Sequence, residues 1–582
     1  MWRRMSDETT TSPPGIEDWQ HWALVMAKAN QMILEAWADN LTKGSAMPGF
    51  GFGAAAAPQA QDPMQWMSAG AEMWSKGLDA WGKMLGHASA AGEKRDRRFG
   101  SEAWNDPVFS TVKQSYLAIS DKLLGTVDDI EGIDEDARNR LRFATQGFVD
   151  AMSPANFVAT NPDVMKQTIE SRGDNLLAGL RNMIGDIQRG QVTQSPEGAF
   201  ELGRNLATTP GKVIFETSLF QLIHYAPSTD EVLETPLVVF PPWINRFYIL
   251  DLTPEKSFVK WTVEQGVSLF MVSWKSADES IRDVTIDDYV AAQVQAIDVI
   301  RELLDVKSVH TIGYCVAGTT LAATLAYLAG KGEAEKVASA TFFTAQVDFE
   351  DAGDLKLFLG DETMQTLEQL TAESGVLDGR VMAATFNLLR GRDLIWNYVV
   401  NNYLMGNDPP PFDLLHWNGD VTNLPGEWHR DYLQRLYREN LLVKPGAVEV
   451  RGVPIDLSKI QTPAYIQAGR EDHIAPVTSV WKLTRVLSGP KRFVLAGSGH
   501  IAGVVNPPSA NKYQYWTNDH SAATLEEFIA GATEHKGSWW PDWIEWLKAQ
   551  GAKAVKADGA RAPGDGKLKP IEDAPGRYVR TR

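Results

Sequence analysis

Ser308-Val-His-Thr-Ile-Gly-Tyr-Cys-Val-Ala-Gly-Thr319 runs from a β-like stretch, Val309–Ile312, through a turn of small residues into an Ala/Leu-rich helical stretch, Thr319–Leu328. Strand, tight turn and helix are the parts of a nucleophile elbow. The residue at the apex is Cys315, the only cysteine of the chain, where a hydrolase ordinarily carries serine. A thiolate forms thioesters readily, so the placement points to acyl transfer from a thioester donor. A lone cysteine is ordinarily a buried small hydrophobe. Against that reading, Gly313-x-Cys315 lies between strand and helix, and Val316-Ala317-Gly318 is compact enough for the turn. Acid and base candidates also follow in the hydrolase order of nucleophile, acid, base.

A cysteine nucleophile needs a base to take its proton and a group to orient that base. His500 is the best base candidate. It lies in Leu495-Ala-Gly-Ser-Gly-His-Ile-Ala-Gly503, a glycine-lined loop after a predicted strand, where the backbone passes close to a partner. The orienting carboxylate is expected at an earlier strand end. Asp472 stands there, in Gln467-Ala-Gly-Arg-Glu-Asp-His-Ile-Ala-Pro476, with Glu471 and His473 as rivals and helix capping as its alternative role. An oxyanion would be held by the Val316 backbone N–H and by a donor from the loop after an early strand. Phe240-Pro-Pro-Trp-Ile-Asn-Arg246 occupies that place, with Asn245 as the candidate, although it is not a Gly-rich hole motif.

Outward from the elbow, short β-rich runs alternate with helical stretches from about residue 212: Lys212–Glu216, Gln221–Tyr225, Pro236–Phe240, Ser268–Ser273, Val309–Ile312, Ala338–Thr344, Ala464–Gln467 and Arg492–Leu495. Unbroken apolar runs such as Leu237–Phe240 suit buried parallel strands. The alternation predicts an α/β sheet with helices on both faces, that is, an α/β-hydrolase fold over residues 206–548. About 120 residues (345–460) with little strand signal separate two of these strands, too many for a loop and right for an inserted cap. The preceding residues, 1–205, read as a mostly helical domain, with helices over 107–125, 134–153, 160–171 and 173–188. Within them 1–15 reads as disordered, 16–42 as an amphipathic helix carrying Trp19, Trp22 and Trp37, and 44–63 as a Gly/Ala/Pro-rich linker before helical patterns resume at Pro63. After the helical stretches Leu525–Ile529 and Trp539–Leu547, the Lys/Ala/Gly/Pro-rich tail 549–582 reads as extended or flexible.

Composition narrows the function. A single cysteine excludes an intramolecular disulfide framework and fits a reducing compartment. The net charge of −18 argues against nucleic acid as the main partner. The N-terminus has no apolar stretch behind its arginines to make a secretory signal, and no run of about 18 apolar residues suggests a membrane span. Twenty tryptophans point to large apolar contacts, internal or with an apolar surface.

Long motifs then carry a family resemblance: Pro241-Pro-Trp-Ile-Asn-Arg-Phe-Tyr-Ile-Leu-Asp-Leu252, Met271-Val-Ser-Trp274, Gly313-Tyr-Cys-Val-Ala-Gly-Thr319, Trp396-Asn-Tyr-Val-Val-Asn-Asn-Tyr403 and His416-Trp-Asn-Gly-Asp-Val-Thr-Asn-Leu-Pro425. Arg470–Pro476, Gly499–Pro508 and Gly537-Ser-Trp-Trp-Pro-Asp-Trp543 complete the set. In these the chain resembles the class I polyhydroxyalkanoate synthases over residues 100–582. The resemblance implies polymerisation of (R)-3-hydroxyacyl-CoA, of short chain such as 3-hydroxybutyryl-CoA, with release of CoA and a thioester on Cys315. It implies His500 as base, and Asp472 either orienting His500 or activating the attacking hydroxyl. It implies no metal and no cofactor, coenzyme A being part of substrate and product. Arg390 matches a cap arginine that the family places near CoA, with Arg392 and Arg246 as weaker candidates. Trp417 and Tyr403 are candidates for the acyl channel, and His473 for support of the site. The resemblance also implies a cytoplasmic homodimer at the polyester granule, where granule proteins or the growing polymer would be partners. Ala317 departs from the family's Gly-x-Cys-x-Gly-Gly box. One methyl there is expected to alter rate or substrate range rather than abolish activity. A thioesterase or polyester depolymerase on the same fold is the competing enzyme, and a granule-binding scaffold with a relic site is the competing non-enzyme.

Overall fold

The computed structural model describes residues 96–582. Expectations for 1–15, 16–42, 44–63 and the helical pattern from Pro63 lie outside the described residues. The chain divides into two units. One comprises Met1–Pro196 with Phe386–Pro410, the other Glu197–Thr385 with Pro411–Arg582.

In the second unit the apolar runs build an 11-stranded sheet. Its strands are β1 (Gly211–Glu216), β2 (Phe220–Tyr225), β3 (Leu237–Phe240), β4 (Leu269–Trp274), β5 (Val309–Tyr314), β6 (Val337–Phe343), β7 (Ala464–Gly469), β8 (Lys491–Ala496), β9 (Gln514–Thr517), β10 (Thr533–Lys536) and β11 (Glu572–Asp573). The spatial order is β10-β9-β8-β7-β6-β5-β3-β4-β2-β1-β11. The central run from β4 through β3, β5, β6 and β7 to β8 is parallel, and antiparallel strands flank it on either side. Every residue of β2 to β5 is buried, which is why β3 reads as an unbroken apolar run rather than as alternation, and why the few polar residues of the others, such as His224 and His310, are buried as well. β9 and β10 escaped the sequence reading because each is only four residues long and partly exposed, and the edge strand β10, Thr533–Lys536, is polar throughout.

Helix Val316–Lys331 follows the nucleophile turn directly and buries almost every residue as far as Leu328, so its Ala-rich composition is that of a core helix. Its approach to β5 is decided by Gly313 and Gly318. A Cβ on Gly313 would sit 2.5 Å from the Gly318 Cα, and one on Gly318 would sit 2.5 Å from the Ala345 Cβ and 2.7 Å from the Gly313 carbonyl oxygen. The close crossing therefore needs glycine at 313 and 318, both retained, and does not depend on glycine at 317. Ala317 is fully buried and its carbonyl accepts a hydrogen bond from the Gln293 amide at 3.1 Å. Gly318→Ala is expected to cost about 1–3 kcal/mol by overpacking, read as a lower melting midpoint; an unchanged midpoint would contradict the crossing.

The tail expected to be flexible is tied into this unit. Ala554–Lys556 pairs with Glu231–Leu233, and β11 pairs with β1. Arg561 is buried and donates to the Leu233 and Glu234 carbonyls. Val579 is buried, and Tyr578 donates its hydroxyl to the Thr217 carbonyl at 2.7 Å. Backbone pairing and one buried guanidinium order this segment, and neither leaves a periodic apolar signal.

In the first unit the helices Pro107–Asp128, Glu135–Ala151, Pro162–Glu170 and Asp174–Arg189 begin at side-chain caps or glycine. Asp106, Asp134 and Asn161 accept N–H groups of the first turns that follow them. Residues 386–410 belong here, so the cap expected as one insertion at 345–460 is divided between the units. Helix Asp174–Arg189 accounts for it. A Cβ on Gly179 would fall 1.8 Å from the Tyr403 carbonyl oxygen, and Asn175 and Asn182 donate to the carbonyls of Leu404 and Asn402. Among the described residues no helix is long and apolar enough to cross a membrane.

Candidate active site

Cys315 sits between β5 and helix Val316–Lys331 with φ 53° and ψ −126°. A non-glycine residue held in that region is strained, as at a nucleophile elbow. The strain is locked from both sides. The Cys315 N–H donates to the Phe343 carbonyl at 2.9 Å, and its own carbonyl accepts from Gly318 and Thr319. The side chain is half-buried. Val316 is the first helical residue, so its N–H has no partner within the helix and is available to a developing oxyanion.

Asp472 follows β7 and His500 follows β8, on neighbouring parallel strands whose ends lie side by side. His500 Nδ1 is 2.7 Å from Asp472 Oδ2. Asp472 Oδ1 accepts the N–H groups of Ile474 and Ala475, each at 2.9 Å, so both carboxylate oxygens are engaged. With Nδ1 committed, Nε2 is the nitrogen left for Cys315. Burial alone would push the His500 pKa down. The Asp472 charge, the Cys315 charge and hydrogen bonds to both residues reverse this and hold it well above the ordinary histidine value. Burial with no such partners takes His310 and His429 to about 4, and burial beside Arg561 takes His224 to about 3.

The His500 loop is fixed by its neighbours. The Tyr314 hydroxyl, from the residue before the nucleophile, donates to the His500 carbonyl at 3.0 Å. Trp539 and Trp540 donate their indole N–H groups to the carbonyls of Gly503 (2.7 Å) and Val504 (2.9 Å). The Trp-rich motif Gly537–Trp543 is thus the floor beneath the base.

The other sequence candidates resolve differently. Glu471 is exposed, and its N–H donates to the Ser498 carbonyl at 3.1 Å. His473 is half-buried. Its carbonyl accepts the Asp354 N–H, and its charge partly offsets the rise that burial gives the Asp354 pKa. Asn245 turns its side-chain oxygen onto the Arg246 N–H and bridges to Val421 through its backbone. Arg246, a weak CoA candidate, is buried. It pairs with Asp420 and donates to the Val421 and Tyr578 carbonyls, which makes it a structural ion rather than a free cation. Trp417 is buried and donates its indole N–H to the Arg246 carbonyl at 2.7 Å, which is a packing role. Arg390, Arg392 and Tyr403 belong to the helical unit. There Arg390 pairs with Asp393, Arg392 with Asp150, and the Tyr403 hydroxyl with Asp186.

Sequence reasoning missed Gln346, Tyr432 and Tyr437. Gln346 lies just past β6, with its amide 3.1 Å from the Tyr437 hydroxyl and 2.9 Å from the Ser479 hydroxyl. Both tyrosines are buried, and the charge on Cys315 is among the causes that raise their pKa values after burial itself. Only long-range folding brings residue 437 to residue 346, and no local motif marks either.

A nucleophilic thiol, a base oriented by a carboxylate and a free helix-first N–H can together carry out acyl transfer through a covalent thioester. Comparison with known proteins agrees with the fold and defines the family. A profile described as "Poly-beta-hydroxybutyrate polymerase (PhaC) N-terminus" matches residues 95–262, and the alpha/beta hydrolase fold profile matches 254–507. The chain is 47% identical over 504 residues to the poly(3-hydroxyalkanoate) polymerase subunit PhaC of Cupriavidus necator, covering 85% of each. It is 45% identical over 494 residues to the poly(3-hydroxyalkanoate) polymerase of Methylorubrum extorquens, covering 84% of this chain and 81% of that one. Among solved structures, the alpha/beta hydrolase GrgF of Penicillium sp. aligns with 59% of this chain and 99% of its own, at 15% identity and a TM-score of 0.34. At this identity over most of both chains, the protein belongs to the poly(3-hydroxyalkanoate) polymerase family.

Proposed function

We propose that this chain polymerises (R)-3-hydroxyacyl-CoA, with a short acyl group such as 3-hydroxybutyryl, into a polyester and releases CoA. The observation that carries the reading is the pairing of His500 with Asp472 at 2.7 Å beside a cysteine on a strained elbow, in a chain whose relatives are polyester polymerases. His500 Nε2 takes the Cys315 proton, and the sulfur attacks the thioester carbonyl. The oxyanion that forms is met by the Val316 N–H. The bond from carbonyl carbon to CoA sulfur then breaks, and the CoA sulfur leaves with the proton from His500. The acyl group is now on Cys315, one thioester exchanged for another. His500 Nε2 takes the proton of a hydroxyl from the next monomer or the chain end as that oxygen attacks the thioester. The bond from the acyl carbon to the Cys315 sulfur breaks, an ester forms, and His500 returns the proton to the sulfur.

With one cysteine per chain, elongation uses either Cys315 of a second subunit or a transient oxygen ester at the same site. A cytoplasmic, granule-associated homodimer is the setting this chemistry suits, because the product is an insoluble polymer.

The test is incubation with 3-hydroxybutyryl-CoA. Free CoA together with high-mass polymer is expected, and an acyl mass increment should map to Cys315. Free CoA with monomeric hydroxy acid would instead establish a thioesterase, and failure to release CoA would refute both.

A further inference from the structure

We propose that the Tyr432–Tyr437 phenol pair, positioned by Gln346, is the hydrogen-bonding partner of the hydroxyl on the bound hydroxyacyl group. The proposal rests on the thioester reading above and adds what recognises the substrate beyond its carbonyl. Gln346 is buried and connects three parts of the site. Its carbonyl accepts the Thr319 hydroxyl at 2.6 Å, from the first turn after Cys315. Its amide bridges the Tyr437 hydroxyl and Ser479, which lies on the short helix after the Asp472 loop. Tyr437 packs edge-on to Tyr432 with ring centroids 5.2 Å apart and against Phe349 at 4.6 Å. Burial raises the pKa of both phenols, and the charge on Cys315 raises them further.

A short hydroxyacyl chain has one polar group beyond its thioester. Taken out of water into a site walled by aromatic rings, that hydroxyl needs a partner. The carbonyl is served by the Val316 N–H, the thiol by His500, and both oxygens of Asp472 are engaged. Among the described residues the Tyr437 hydroxyl, held by Gln346, is a polar group of this part of the site with hydrogen-bonding capacity to spare. The Tyr437 hydroxyl accepts from the Gln346 amide and keeps its own proton to donate. A substrate hydroxyl both donates and accepts, so it suits that phenol. Tyr437 is then a substrate contact, and Gln346 acts through it as a positioning residue.

The experiment measures single-turnover CoA release and acyl mass on Cys315 with 3-hydroxybutyryl-CoA and with butyryl-CoA, which lacks the hydroxyl. It compares the full chain with Tyr437→Phe, Gln346→Leu and the double variant. Loss of one hydrogen bond predicts roughly a two- to tenfold fall in kcat/KM for the hydroxyacyl ester, with the butyryl ester unaffected. The double variant is expected to match Tyr437→Phe alone, because Gln346 works through Tyr437. A structural defect would depress both esters, so their ratio is the readout. Equal loss on both esters, no loss, or additive losses would overturn the proposal. Should Gln346→Leu fail to fold, Tyr437→Phe, which removes a single oxygen, decides the matter by the same ratio. If the unaltered chain acylates Cys315 with neither ester, the thioester reading falls and this proposal with it. If it acylates normally and the variants show no hydroxyl-dependent loss, only this proposal falls.

Discussion

Replacing Cys315 by alanine is expected to lower CoA release by about 10⁴-fold or more, with the fold intact. Without the sulfur there is no covalent intermediate, and the His500–Asp472 pair has no nucleophile to activate. Alanine at φ 53° is strained as cysteine is, so this variant gains nothing from the backbone. Glycine separates the two effects. The pair φ 53° and ψ −126° is glycine territory, so Cys315→Gly relieves strain worth about 1 kcal/mol or more while removing the thiol just as completely. The glycine variant should therefore melt at or above the temperature of the alanine variant while CoA release falls equally in both. Calorimetry and a free-thiol assay of CoA read the two quantities separately. Retention of more than about one per cent of the rate in either variant would remove Cys315 from the chemistry.

The elbow was legible in the sequence because its logic is local. A strand, a small-residue turn and a core helix follow one another between Val309 and Lys331. Asp472 and His500 were legible by chain order, since parallel strands deliver their following loops to one edge of the sheet. What stayed hidden depends on pairing across distance. Arg246 looks in the sequence like a free cation for an anionic substrate, and only the fold brings Asp420 and the Tyr578 carbonyl beside it. The 549–582 segment has a disordered composition, yet Arg561 and two short strands hold it down. Phe386–Pro410 joins the helical unit through Gly179, Asn175 and Asn182, residues that nothing in the sequence ties to it. Ala317 drew attention as a family departure, whereas the strand–helix crossing turns on Gly313 and Gly318.

Asp472→Asn is expected to slow the first acylation of Cys315 by about 10⁴-fold. The substitution is nearly isosteric. The asparagine Oδ1 still accepts from Ile474 and Ala475, so the loop after β7 keeps its shape. What changes is the face toward His500. An amide NH₂ in place of Oδ2 donates to Nδ1, which forces the imidazole proton onto Nε2, and Nε2 is then unable to take the proton of Cys315. A single-turnover measurement separates the two roles left open for this carboxylate. If Asp472 orients His500, the first burst of CoA release slows. If it serves only to activate the attacking hydroxyl, that burst survives and elongation alone fails. Engagement of both carboxylate oxygens favours the first outcome. Stability carries an independent signature. The folded pKa of His500 is raised by Asp472 and Cys315 against the opposing effect of burial. The ion pair therefore contributes fully below the ordinary histidine value of about 6.5 and is lost as pH rises through the raised folded value. The melting temperatures of the unaltered chain and the asparagine variant should differ most near pH 6 and converge on the alkaline side. A gap that is constant or widens with pH would show that the pairing of Asp472 with His500 is not what holds the imidazole charged.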